Sequence, residues 1–177
     1  MHLVKETKTV QNKKIRNLTM AGIFAALITI MTAYICHIPI GANGGYIHFG
    51  DMFIYLAAVL LPRPYALIAA AIGGGLADLL TAPMWVPATI IIKMLIVLPF
   101  SGKGVKIVTW RNIIGTVWGY FISGVGYFVA EYFLFETWSV FLVSMAQTFV
   151  QSLGSAILFI VLGLALDKLH IKRKLFS

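Results

Sequence analysis

Charge is scarce in this sequence: 11% of its 177 residues are Asp, Glu, Lys or Arg, where a soluble domain carries about 25%. Hydrophobic residues make up 60%. A membrane span uses about 20 mostly apolar residues, so five to seven spans would consume the chain and leave no length for a soluble catalytic domain. Acidic residues are scarcer still, 6 against 14 Lys and Arg, for a net charge of +8. In a soluble protein that imbalance would point to nucleic acid; here the charges sit at the ends of hydrophobic runs, and no nucleic-acid partner is expected. The single cysteine, Cys36, excludes an internal disulfide and a cysteine-rich metal cluster. Neither HExxH nor a paired aspartate motif is present, and His37 and His48 have no second carboxylate at ligand spacing. An enzyme, a metal site or a bound cofactor is therefore not expected. Nor is there a GxxxxGK[ST] loop, so any ATP-driven step belongs to a partner.

What is present is a succession of apolar runs. Residues 1–17 form a basic segment carrying Lys5, Lys8, Lys13, Lys14 and Arg16. Six spans are predicted over about 18–35, 51–61, 65–80, 86–100, 112–135 and 138–167, followed by a basic tail, 168–177. The expected fold is all-α, a polytopic membrane domain over 18–167. Its first inter-span segment, residues 37–50 (HIPIGANGGYIHFG), breaks helical periodicity and reads as a long loop. The second span is too short alone to cross the bilayer, so this loop must fold toward the membrane or the helix must begin earlier. Gly73, Gly74 and Gly75 in the third span suit close helix packing better than phosphate binding. Thirteen of the fourteen Lys and Arg fall on the side of the termini, the Arg63 turn and the loop after span four; the other is Lys93, inside a span. By the positive-inside rule both termini are cytoplasmic and the loop 37–50 faces outside.

Ionisable groups within spans cost about 3 kcal/mol each by insertion scales and face a cavity or a partner. The candidates are Asp51, Asp78, Lys93 and Glu131. Asp78 and Lys93 have similar depths and can form an ion pair, which either pins two helices or contacts a ligand. Tyr120, Ser123, Tyr127 and Glu131 recur at spacings of three and four along span five, and Ser144, Gln147, Gln151 and Ser155 along span six. Two such stripes on consecutive antiparallel helices can line one cavity. Asn43, Tyr46 and His48 in the glycine-rich loop suit a lid over a bound ring. Trp85 and Trp138 fit either a ligand site or an interfacial belt.

The stretch IPIGANGGYIHFGDMFIYLAAVLLPRPYALIAAAIGGGLADLL, followed by APMWVPATIIIKMLIVLP, resembles the S components, the substrate-binding subunits, of energy-coupling factor (ECF) vitamin transporters. It is most similar to the riboflavin-type and hydroxymethylpyrimidine- or pyridoxine-type group. The resemblance implies a multi-pass subunit of the bacterial plasma membrane with an outward-facing vitamin pocket closed by the loop between helices one and two. It also implies partners: a transmembrane coupling protein (the T component) and two cytoplasmic ATPases. The expected vitamin is pyridoxine or hydroxymethylpyrimidine, with riboflavin next. The expected ligand residues are Asn43, Tyr46, His48, Trp85, Lys93, Glu131, Gln147 and Gln151. Ala21 and Ala25 stand in the small-xxx-small pattern expected to dock the coupling protein, with Gly22 and Ala26 beside them. The alternative function is a self-contained secondary transporter or channel using Asp78, Lys93 and Glu131 as ion sites.

Overall fold

The computed structural model describes residues 2–35, 37–39, 46–136 and 141–176, and within these the chain is almost wholly helical. Helix α1 spans His2–Ala33. A minimal antiparallel hairpin follows, β1 (Ile38–Pro39) paired with β2 (Tyr46–Ile47). Then come α2 (Asp51–Leu60), α3 (Arg63–Thr81), a 3-10 turn (Pro83–Trp85) and α4 (Val86–Val97). Last are α5 (Trp110–Phe135), α6 (Phe141–Lys168) and the short α7 (Ile171–Phe176).

The chain breaks follow its punctuation. Pro62 and Pro64 flank the start of α3, and prolines stand in the first turns of the 3-10 helix and α4, where a missing N–H costs nothing. No proline or glycine occurs between His2 and Ala21, so α1 is continuous through the basic segment instead of starting near Leu18. The basic tail likewise carries a short helix that hydropathy did not call for. Among the described residues, four helical segments are long and apolar enough to cross a membrane: Gln11–Ala33, Arg63–Thr81, Trp110–Phe135 and Ser144–Lys168. The apolar segments Asp51–Leu60 and Pro83–Val97 are shorter. At about 1.5 Å per residue, neither of these two reaches the roughly 30 Å of a hydrocarbon core. The hairpin leads into α2, with Ile47 and His48 buried.

Helices α1 to α6 run alternately between two ends. One end collects Arg63, Lys103, Arg111, Lys172 and Arg173 around a groove. The opposite end gathers the hairpin, the 3-10 turn, the C-terminal ends of α3 and α5 and the first turns of α6. Toward the basic end the core is a ring cluster: Tyr55 stacks on Phe100 with centroids 4.8 Å apart, and Phe159 meets both edge-on. Outward-facing Ile68, Ile72, Leu76 and Leu79 on α3, and Ile157, Val161 and Leu164 on α6, are exposed. Recurrence at three and four residues makes each an apolar stripe facing away from the bundle, as lipid requires.

The glycine run in α3 packs helices, as its position among apolar residues suggested. A Cβ on Gly73 would lie 2.7 Å from Ile28 Cβ and 2.9 Å from the Ala25 carbonyl oxygen, and one on Gly74 would lie 2.8 Å from Lys93 Cγ. Thr29 Oγ1 reaches across this seam to donate to the Gly73 carbonyl at 3.0 Å. The seam also takes in part of the small-residue ridge of α1. Ala21 and Ala25 are 3% and 7% exposed, packed within the chain. Gly22 and Ala26, one position on, are exposed, and a Cβ on Gly22 would meet nothing within 4 Å.

Candidate functional site

At the end remote from the basic groove, nine side chains line a cavity of about 70 Å3: His48, Asp78, Trp85, Tyr127, Glu131, Ser144, Gln147, Thr148 and Gln151. Helical spacing explains the two longest contributions. Tyr127 and Glu131 are one turn apart on α5, while Ser144, Gln147, Thr148 and Gln151 recur at three and four on α6, so each helix turns a polar stripe toward the other. The α3 terminus supplies Asp78, and the 3-10 turn swings Trp85 inward, where it is 6% exposed. Trp85 is held by Tyr127, edge-on at 6.0 Å, and by Phe135 at 6.1 Å.

Both carboxylates in the lining are hydrogen-bonded. Thr89 Oγ1 donates to Asp78 and lies 3.0 Å from the Tyr127 hydroxyl. Ser144 Oγ donates to Glu131. Two other polar groups are left over. Trp85 Nε1 and Gln147 Nε2 are buried with no hydrogen-bond partner among the described residues. Leaving a buried donor unmatched costs about 1 to 3 kcal/mol, and this wall carries two of them.

Lys93 and Asp51 sit beside this lining rather than in it. Lys93 Nζ lies 2.6 Å from Asp51 Oδ1, with both side chains essentially inaccessible, and Gln151 Nε2 donates to the other Asp51 oxygen at 3.3 Å. The ammonium also lies 5.6 Å from the centre of the Tyr127 ring, a cation–π contact. The pairing expected between Lys93 and Asp78 is thus replaced by one with Asp51, while Asp78 accepts from Thr89.

His48, in the segment joining β2 to α2, is 4% exposed. Its Nδ1 accepts the Gly50 backbone N–H at 3.0 Å, which places the proton of the neutral ring on Nε2. Burial, reinforced by the Lys93 charge and opposed by the Asp51 carboxylate, lowers its pKa to about 3. The ring is therefore a neutral hydrogen-bonding group throughout the physiological range.

Of the residues picked from sequence, His48, Trp85, Glu131, Gln147 and Gln151 meet in one cavity, and Lys93 braces it from behind. Tyr46 contributes its backbone to β2, whereas Asn43 and Trp138 lie outside the described residues. Asp78, Tyr127 and Ser144, noted as polar positions but not among the expected ligand residues, also join the lining, and so does Thr148. Thr148 had a usable signal, its place one turn after Ser144 on the α6 stripe. The inner halves of the stripes diverge: Ser123 and Ser155 are fully buried between helices, and Tyr120 bonds Met145 Sδ at 3.8 Å.

Comparison with known proteins agrees with this architecture. A protein of Pyrococcus woesei described as an uncharacterized protein in the gap 3′ region is 34% identical over 107 residues, which cover 59% of this chain and 72% of that protein. The family model for the S component of ECF-type riboflavin transporters matches residues 12–168. That span takes in every helix that builds the cavity, and the chain belongs to this family of vitamin-binding membrane subunits of ECF transporters.

Proposed function

We propose that this chain captures riboflavin, or a smaller heterocyclic vitamin of related polarity, in the cavity between α5, α6 and the hairpin, and releases it inward when docked on an ATP-driven coupling module. The observation that carries the reading is the pair of unmatched donors, Trp85 Nε1 and Gln147 Nε2, on a wall that also carries Asp78, Glu131 and neutral His48. Hydroxyl and carbonyl groups on a flat ring system supply the acceptors these donors lack, and tryptophan and tyrosine faces suit the ring. Riboflavin comes first because the matching family is described by it. The size of the cavity favours the second reading, pyridoxine or hydroxymethylpyrimidine. At about 70 Å3 it is far below the roughly 300 to 1,000 Å3 of sites for drug-sized ligands, so a riboflavin-sized solute requires the hairpin segment to lift from α6.

In this reading α2 and α4 complete six spans, with the basic end and both termini in the cytoplasm and the cavity toward the outside. The T component and its two ATPases provide the energy, and the exposed face of α1 around Gly22 and Ala26 meets the T component. Heat-releasing the small molecules from purified protein for mass spectrometry, then titrating riboflavin, pyridoxine and hydroxymethylpyrimidine calorimetrically, tests the assignment. Tight, one-to-one binding of one of the three is expected. Binding of none of them would remove the vitamin assignment.

A further inference from the structure

Another concavity lies at the other end. A groove of about 850 Å3 is lined by apolar residues, among them Leu60, Leu61, Val97 and Phe100, and by five cations, Arg63, Lys103, Arg111, Lys172 and Arg173, with no acidic side chain among the described lining residues. Lys172 is 8% exposed, and its Nζ makes one hydrogen bond among the described residues, to the Gly102 carbonyl at 2.8 Å. An ammonium has three donors, so this one is held in place with donors to spare. The acidic group whose charge reaches it is Asp167, but that carboxylate is committed to the backbone amides of Ile107 (2.7 Å) and Val108 (3.0 Å). The same two bonds, with Asn112 tying Ser101 and Ile107 together, fix the loop that carries Lys103. The cations are therefore presented by an ordered frame.

Arg111 belongs to a second concavity as well. It lines a groove with Leu98, Pro99, Trp110, Ile114, Gly115 and Trp118, with Trp110 76% and Trp118 57% exposed. Tryptophan at a helix start beside an apolar strip is the composition of a membrane interface. A charge-lined pocket opening through one arginine onto an apolar, tryptophan-edged strip matches a molecule with an anionic head and a hydrocarbon tail. Basic pockets at the ends of membrane helices bind phospholipid headgroups on these terms, and arginine pairs with phosphate through two parallel hydrogen bonds.

We propose that the basic groove is a binding site for one anionic glycerophospholipid, its phosphate held among Arg63, Lys103, Arg111, Lys172 and Arg173 and an acyl chain laid along Leu98, Ile114 and Trp118. The site is separate from the vitamin cavity and does not depend on its ligand. Native mass spectrometry of the full chain in detergent, titrated with dioleoyl phosphatidylglycerol and dioleoyl phosphatidylcholine, tests it. One phosphatidylglycerol should bind per chain, at least about tenfold more tightly than phosphatidylcholine. Arg111→Gln with Lys172→Gln should remove that preference, Arg111→Lys should keep most of it, and Lys13→Gln with Lys14→Gln, on the exposed start of α1, should leave it intact. If the Arg111 and Lys172 pair lowers the unfolding temperature, the exposed pair Arg63→Gln and Lys103→Gln decides the matter by the same readout. Equal binding of the two lipids, equal loss in the Lys13 and Lys14 control, or full displacement by inorganic phosphate would overturn the proposal. So would groove variants that bind lipid normally but fail to assemble with the T component, which would make the groove a protein contact.

Discussion

Lys93 and Asp51, 42 residues apart in the chain, form an ion pair 2.6 Å long with both side chains shut off from solvent. Two charges so deep exact a desolvation cost that their attraction offsets only while both are present. Lys93→Met strands a carboxylate and should destabilise the protein by about 3 to 5 kcal/mol, read as a lower unfolding temperature. Lys93→Met with Asp51→Leu should recover much of the loss. Adding Asp78→Leu to Lys93→Met should not, because Asp78 is bound by Thr89.

The acid sensitivity of the fold should trace to His48. Its pKa is lowered from 6.5 to about 3 in the folded chain, so between those values the unfolded chain binds a proton that the folded chain refuses. Stability is then complete above about pH 6.5 and declines as pH falls toward 3, by at most about 1.4 kcal/mol per pH unit. His48→Asn keeps an acceptor for the Gly50 N–H but cannot protonate. Its unfolding temperature, followed from pH 7 to pH 4, should fall less steeply than that of the parent. Parallel curves would assign the acid response to other groups.

The helices were legible because lipid enforces long apolar runs, and the polar stripes of α5 and α6 were legible because spacings of three and four survive without tertiary information. Two features were not. The partner of Lys93 depends on which of two carboxylates the bundle brings to its depth, and hydropathy assigns depth too coarsely to separate Asp51 from Asp78. The face of α1 depends on rotation about the helix axis: Ala21 and Gly22 are neighbours in sequence, yet Ala21 packs inward while Gly22 stands open. Over the apolar part of α1 no charged stripe reports that rotation, and both small-residue ridges look alike until α3 is in place.

Removing the unmatched donors should separate affinity from stability. Trp85→Phe and Gln147→Leu delete donors that have no hydrogen-bond partner among the described residues, so neither should lower the unfolding temperature of the unliganded protein through a lost hydrogen bond. Each should weaken binding of the vitamin by about twofold to tenfold, the worth of one net hydrogen bond of about 0.5 to 1.5 kcal/mol. Glu131→Gln disturbs the bond from Ser144 and should change both quantities. Unchanged affinity in both donor variants would show that the ligand lies elsewhere.

The two ridges of α1 yield opposite expectations for the same kind of substitution. Gly22 faces open space and Ala26 is exposed, so Gly22→Trp or Ala26→Trp adds bulk where only a neighbouring subunit would meet it. Vitamin uptake in cells carrying the coupling module should drop sharply, while the purified chain keeps its ligand affinity and unfolding temperature, because close helix approach is what small residues permit. Ala21→Trp and Ala25→Trp instead force an indole into the contact between α1 and α3, where the Ala25 carbonyl already stands 2.9 Å from the position of a Cβ on Gly73. Overpacking costs typically about 1 to 3 kcal/mol for extra methylenes and more for a large ring, so these variants should lose expression and ligand binding together. If Gly22→Trp left uptake intact while Ala25→Trp abolished it without loss of stability, the docking face would be the inner ridge and α1 would have to rotate away from α3 on assembly.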